Sequence, residues 1–129
     1  MITGHDIHSY LGINSTQDSI GVYVGYQEID GIRAFTKVGR AKNAQALQRG
    51  RAQGGANWWF VAYFLLPTVA DTNRVEREWK RQMKSQNVTK TLQHQTELYY
   101  FSPEDAADEL ESLIRSLGYE VRDLVNEIF

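Results

Sequence analysis

The sequence predicts a small mixed α/β (α+β) domain, a three-stranded antiparallel sheet flanked by helices, and three observations carry that expectation. Two β-rich runs, Ile20 to Tyr26 and Ile32 to Gly39, are separated by the turn-forming pair Asp30-Gly31. A third, more apolar run from Trp58 to Leu66 ends at Pro67. Apolar residues then recur at helical spacing twice, as Val75, Trp79 and Met83 and as Ala106, Leu110, Leu113, Ile114 and Leu117. The 129 residues give room for one core. They divide into an N-terminal extension, residues 1–19, packing on a domain that spans residues 20–129.

Gly4 to Leu11 reads as a helical turn, with Ile7 and Leu11 one turn apart. His5 and His8 have a spacing that a metal could use, but no third His or Cys lies near them. Asn14 to Ser19 is a polar linker into the first strand. There the pleat puts Gly21 and Tyr23 on one face and Val22 and Val24 on the other. In the second strand Ala34, Thr36 and Val38 alternate with Arg33, Phe35 and Lys37. Asn43 to Gln53 is rich in helix formers, with Asn43 as cap and Gly54-Gly55 as stop, and it carries Arg49 and Arg51.

The run from Trp58 to Leu66 is expected to be the central, most buried strand, with Trp58, Trp59 and Tyr63 as core residues rather than base-stacking platforms. Asp71-Thr72-Asn73 offers caps for a charged helix reaching about Lys84. Val75, Trp79 and Met83 are its buried stripe, which leaves Glu76 at the border of that face. Thr96 to Phe101 is a short extended segment. Ser102 and Pro103 open the next helix, Gly118 ends it, and Val121 to Phe129 forms a last short helix.

The absence of cysteine excludes disulfides, thiolate nucleophiles and zinc fingers, and fits a cytoplasmic setting, in a bacterial cell or an infected host. The longest apolar stretch is too short to span a membrane, and the N-terminus lacks the pattern of a secretory signal. The net charge of −2 conceals a segregation. From Gly31 to Lys90 twelve cations face three carboxylates, a net of +9, whereas from Thr91 onward two arginines face nine carboxylates, a net of −7. A basic middle suits phosphate and an acidic tail suits the opposite, solvated side.

Two glycine-containing strand motifs, Gly21-Val22-Tyr23 and Lys37-Val38-Gly39-Arg40, would be neighbours across a hairpin. A helix bearing Arg49 follows, and Val75-Glu76 opens a second one. In order and approximate spacing this series resembles the GIY-YIG nuclease superfamily from about Ile20 to Leu117. It is particularly similar to the phage-associated branch in which lysine replaces the tyrosine of the second motif. Glu97-Leu98-Tyr99-Tyr100-Phe101, before the capped helix, resembles that branch as well. Gln53 stands where the family often has His or Tyr, and the family arginine maps onto Arg49 or, two residues on, Arg51.

The resemblance implies an endonuclease that hydrolyses DNA, with RNA as the other substrate class, in a phage, mobile-element or homing setting. It implies Mg²⁺, with Mn²⁺ as a substitute, held by Glu76 as the lone protein ligand while water and phosphate complete the shell. Tyr23 would take the proton of the attacking water, with Lys37 and Arg40 favouring its phenolate, and Arg49 would stabilise the phosphate. Arg40, Lys42, Arg51 and Lys80 are expected to hold the nucleic-acid backbone. Targeting would fall to a partner protein or a homodimer. By itself, Glu76 also reads as the i, i+4 partner of Lys80 on a solvated helix. A non-catalytic nucleic-acid-binding or protein-interaction module on the same scaffold is the competing expectation.

Overall fold

The computed structural model describes residues 2–3, 20–41, 57–86, 98–99 and 102–128. Along the chain come β1 (Ile2–Thr3), β2 (Gly21–Ile29), β3 (Ile32–Ala41) and β4 (Asn57–Leu65). They are followed by α1 (Val69–Gln82), a 3₁₀ turn (Lys84–Gln86), β5 (Leu98–Tyr99), α2 (Pro103–Ser116) and α3 (Leu124–Ile128). The sheet has the order β1-β4-β2-β3-β5, with every neighbouring pair antiparallel. It is thus an α+β fold on three long antiparallel strands, widened at each edge by a two-residue strand. The segments read as helices over Gly4 to Leu11 and Asn43 to Gln53 lie outside the described residues, as do His5 and His8. Among the described residues no helix is long and apolar enough to cross a membrane.

The hairpin between β2 and β3 forms as the Asp30-Gly31 pair dictates. Both residues have positive φ, 51° and 76°, the geometry that matches the twist of the flanking strands. The strand at the centre is β2, and this corrects the expectation that the tryptophan-rich run is central. Hydrophobicity misled because β2 is buried partly through its backbone. A Cβ at Gly21 would stand 2.4 Å from the carbonyl oxygen of Phe64, and one at Gly25 2.8 Å from that of Trp59. The middle strand therefore needs glycine where the sequence pattern would look for bulk. β4 is apolar because both of its faces are covered: Tyr63, Phe64 and Phe60 are all buried.

Val22, Val24 and Val38 turn to one face of the sheet, where α1 and α2 cover them with Val75, Trp79, Ala106, Leu110 and Ile114. Ala62, Phe64, Leu66 and Tyr99 complete this core. α1 starts one turn earlier than expected. Its cap is Thr68, whose hydroxyl accepts from the Asp71 amide at 3.2 Å and donates to the Asp71 carboxylate at 2.8 Å. α2 is capped by Ser102, which accepts from the Asp105 amide at 3.1 Å, and Pro103 fills the first turn as anticipated.

After α2 the chain reverses at Gly118, where φ is 90°, and runs back along β4. The Leu65 amide donates to the Arg122 carbonyl at 3.0 Å, and the Asp123 carboxylate accepts from the amides of Tyr63 at 2.9 Å and Val125 at 3.0 Å. This capping by Asp123 delays the last helix to Leu124. On the way Tyr119 donates its hydroxyl proton to Asp71 at 2.7 Å, tying the returning segment to the first turn of α1.

Two measurements test these constraints. Gly21→Ala should lower stability by roughly 1–3 kcal/mol through overpacking against β4, read as a lower urea midpoint with an unchanged slope. The second concerns Asp71, whose carboxyl is held below its ordinary range by the Tyr119 hydroxyl and then by the Thr68 hydroxyl. Because the folded state lowers this value, the stabilisation is present above the unfolded aspartate pKa and is lost as pH falls through the folded one. Tyr119→Phe should therefore be less stable than wild type at neutral pH, with the gap closing in acid; a pH-independent gap would assign the effect to packing.

Candidate active site

The β2–β3 register brings the two glycine motifs side by side. Tyr23 lies opposite Gly39, and Gly25 lies opposite Lys37. The Lys37 ammonium stands 5.8 Å from the centre of the Tyr23 ring, and that ring packs edge-on against Phe60 at 5.2 Å. Tyr23 is half-buried. Its neighbour across β4, Tyr63, is fully buried, and burial pushes that phenol well above its ordinary range, which keeps it protonated. Of these two tyrosines, only Tyr23 is placed to meet solvent.

Glu76 is delivered by α1. Val75 and Trp79, both fully buried, dock the helix on the sheet, and Glu76 comes to rest at the rim, 8 % exposed. One of its oxygens, Oε1, accepts from the Lys80 ammonium at 3.0 Å. The other, Oε2, is buried and has no hydrogen-bond partner, and the Arg40 Nε stands 3.9 Å from it. Arg40 projects from β3, and its guanidinium donates to the side-chain oxygen of Asn73. An anionic oxygen left without a donor at this depth costs free energy unless something else binds it.

Arg40 thus joins Glu76, contrary to the expectation that it stands with Lys37 beside Tyr23. The pleat is the reason. Arg40 pairs with Val22 and shares the face of Val22 and Val38, whereas Tyr23, Gly39 and Lys37 belong to the opposite face. The structure therefore brings together Tyr23 with Lys37, and Glu76 with Arg40 and Lys80. The two groups point to opposite faces at one end of the sheet, where β2 begins and β3 ends. Lys42, Arg49 and Arg51 lie outside the described residues.

Asn73 enters the site although its sequence reading is only that of a cap. Its spacing is the available signal, since Asn73, Glu76 and Lys80 follow one another at i, i+3 and i+7 along one helical stripe. Tyr63 is a core residue as expected, while Trp59 is partly exposed with a buried indole N–H that has no partner. The side chain of Trp58 is not among those described. The acidic flank is separate from the site: Glu104, Asp108, Glu111 and Asp123 line a groove between α2 and β4. Such a groove repels phosphate.

Carboxylate oxygen is the donor type a hard divalent cation takes. Among the described residues no group of three His, Cys, Asp or Glu side chains converges. A single carboxylate oxygen without a hydrogen-bond donor nonetheless fits Mg²⁺, which keeps most of its waters and takes further ligands from substrate phosphate. No family model, curated protein or solved structure matches the chain.

A site residue and a fold residue on the same helix should separate in stability measurements. Glu76→Gln keeps the volume, removes a charge whose partners are half-exposed, and is expected to shift stability by no more than about 1 kcal/mol. Trp79→Ala empties a fully buried position and should cost about 3–5 kcal/mol. Equal losses in urea denaturation would make Glu76 a structural residue.

Proposed function

We propose that the chain is a metal-dependent endonuclease hydrolysing DNA phosphodiester bonds, with its reacting groups at the end of the sheet where β2 begins and β3 ends. The observation that carries this reading is Glu76 Oε2, a buried carboxylate oxygen with no hydrogen-bond donor, on a side chain flanked by Arg40 and Lys80. Such an arrangement suits a hard cation better than it suits folding. Mg²⁺ held there would offset charge on the phosphoryl oxygens and assist the departing 3′ oxygen.

The protein groups divide the remaining work. Glu76 supplies Oε2, while Lys80 holds Oε1 and fixes the orientation of the carboxylate. Tyr23, as its phenolate, accepts the proton of the attacking water and becomes the neutral phenol, and the Lys37 ammonium nearby favours that phenolate before the transfer. Arg40 offers its fork to a phosphate, and Arg49 or Arg51 contributes a further guanidinium. A nucleic-acid strand crossing the sheet end would meet Lys37 and Tyr23 from one face and Arg40 and Lys80 from the other.

One observation favours a second reading. Because the pleat separates Tyr23 and Lys37 from Glu76, a scaffold that binds nucleic acid without cutting would also account for the cations.

Incubation of supercoiled plasmid with Mg²⁺ or EDTA distinguishes the two. Wild type is expected to nick or linearise it only with metal, and Glu76→Ala and Tyr23→Phe should each lose cutting by about 10²-fold or more while still retarding DNA in a gel. A folded wild-type protein that retards DNA or RNA but cuts neither would establish the binding module.

A further inference from the structure

The two oxygens of Glu76 are treated differently by their surroundings. Lys80 takes Oε1 in a hydrogen bond of 3.0 Å. Arg40 approaches Oε2 only to 3.9 Å, which neutralises the charge without donating to it. The guanidinium is an unusually capable donor to carboxylates, normally by two parallel hydrogen bonds. Here it is drawn aside, because Asn73 accepts from its Nη1. Asn73 and Glu76 lie one turn apart on α1, so the same helix that presents the carboxylate also holds the arginine off it.

The Arg40 side chain is 43 % exposed, against 10 % for that of Glu76. The arginine can therefore leave the carboxylate for solvent or for a phosphate, whereas the carboxylate cannot follow. We infer that Arg40 is a displaceable counter-ion: it occupies the electrostatic place of the divalent cation at Glu76 Oε2 and gives it up when a substrate phosphate draws the guanidinium away. The inference rests on the endonuclease reading of Glu76 and adds to it a form of control.

The consequence is coupling between metal and substrate. With Arg40 beside Oε2, a divalent cation meets a like charge and binds weakly. Once a phosphate engages Arg40, that repulsion is relieved and the cation binds more tightly. By reciprocity, the cation strengthens the phosphate contact to the same degree. The site then assembles only on nucleic acid. Asn73 is a positioning residue in this scheme, acting through Arg40.

The test is Mn²⁺ binding to the full chain, followed by the electron paramagnetic resonance signal of free Mn²⁺, first without nucleic acid. Arg40→Gln should bind Mn²⁺ on the order of tenfold more tightly than wild type. Asn73→Ala should bind Mn²⁺ more weakly than wild type, because the freed guanidinium can then close on Oε2; Arg40→Lys should stay near wild type, and adding Asn73→Ala to Arg40→Gln should change nothing further. An uncleavable phosphorothioate oligonucleotide should then raise Mn²⁺ affinity in wild type and have little effect in Arg40→Gln. Circular dichroism on each variant confirms that it is folded.

If Glu76→Gln abolishes Mn²⁺ binding but Arg40→Gln binds no more tightly than wild type, the counter-ion role is wrong and the metal site stands. If wild type and Glu76→Gln bind Mn²⁺ equally, both the metal site and the counter-ion role fall.

Discussion

The approach of β4 to β2 governs much of this molecule. The Phe64 and Trp59 carbonyls press against Gly21 and Gly25 so closely that no side chain could begin at either position. That contact sets the spacing between the two strands, and each side chain between the glycines inherits its position from it. Val22 and Val24 are driven into the core, and Tyr23, on the other face, stands between two positions with no side chain of their own. The space above those glycines is taken by β4, with the Tyr63 and Phe60 rings lying against the places where side chains would begin.

The second dependence runs through α1. Val75 and Trp79 fix the roll of the helix about its axis, and that roll decides how deeply Glu76 is buried. One residue further round, the carboxylate would be in water; one residue the other way, it would be fully buried. At the rim it lies near a pair of cations with one oxygen lacking a donor. Polar arrangements of this kind cost stability that an apolar or fully paired residue would not.

Much of the scaffold was legible because its signals are local. Asp30-Gly31 specified the hairpin, the alternation around Val22 and Val24 specified the buried face, and Ser102-Pro103 and Gly118 bounded α2. Strand order was not, since it depends on which backbones meet across many residues, and glycine lowers the apparent hydrophobicity of the strand that is most enclosed. The true cap of α1 was present as Thr68 with Asp71 three residues on, but the polar cluster Asp71-Thr72-Asn73 offered a competing start one turn later. The separation of Arg40 from Lys37 was also available from the period of two. A motif read as a single string, Lys37-Val38-Gly39-Arg40, hides the fact that its first and last residues leave the strand on opposite sides.

The two outermost described segments both attach to β4. Ile2 and Thr3 pair with Phe60 and Trp59 near its start, and Arg122 and Asp123 bond to Leu65 and Tyr63 near its end. A single strand thus acts as the mechanical tie between the beginning and the end of the described chain. Because Tyr63 and Leu65 pair with Tyr23 and Gly21, the place where the end of the described chain is fastened lies directly beside the strand that carries Tyr23.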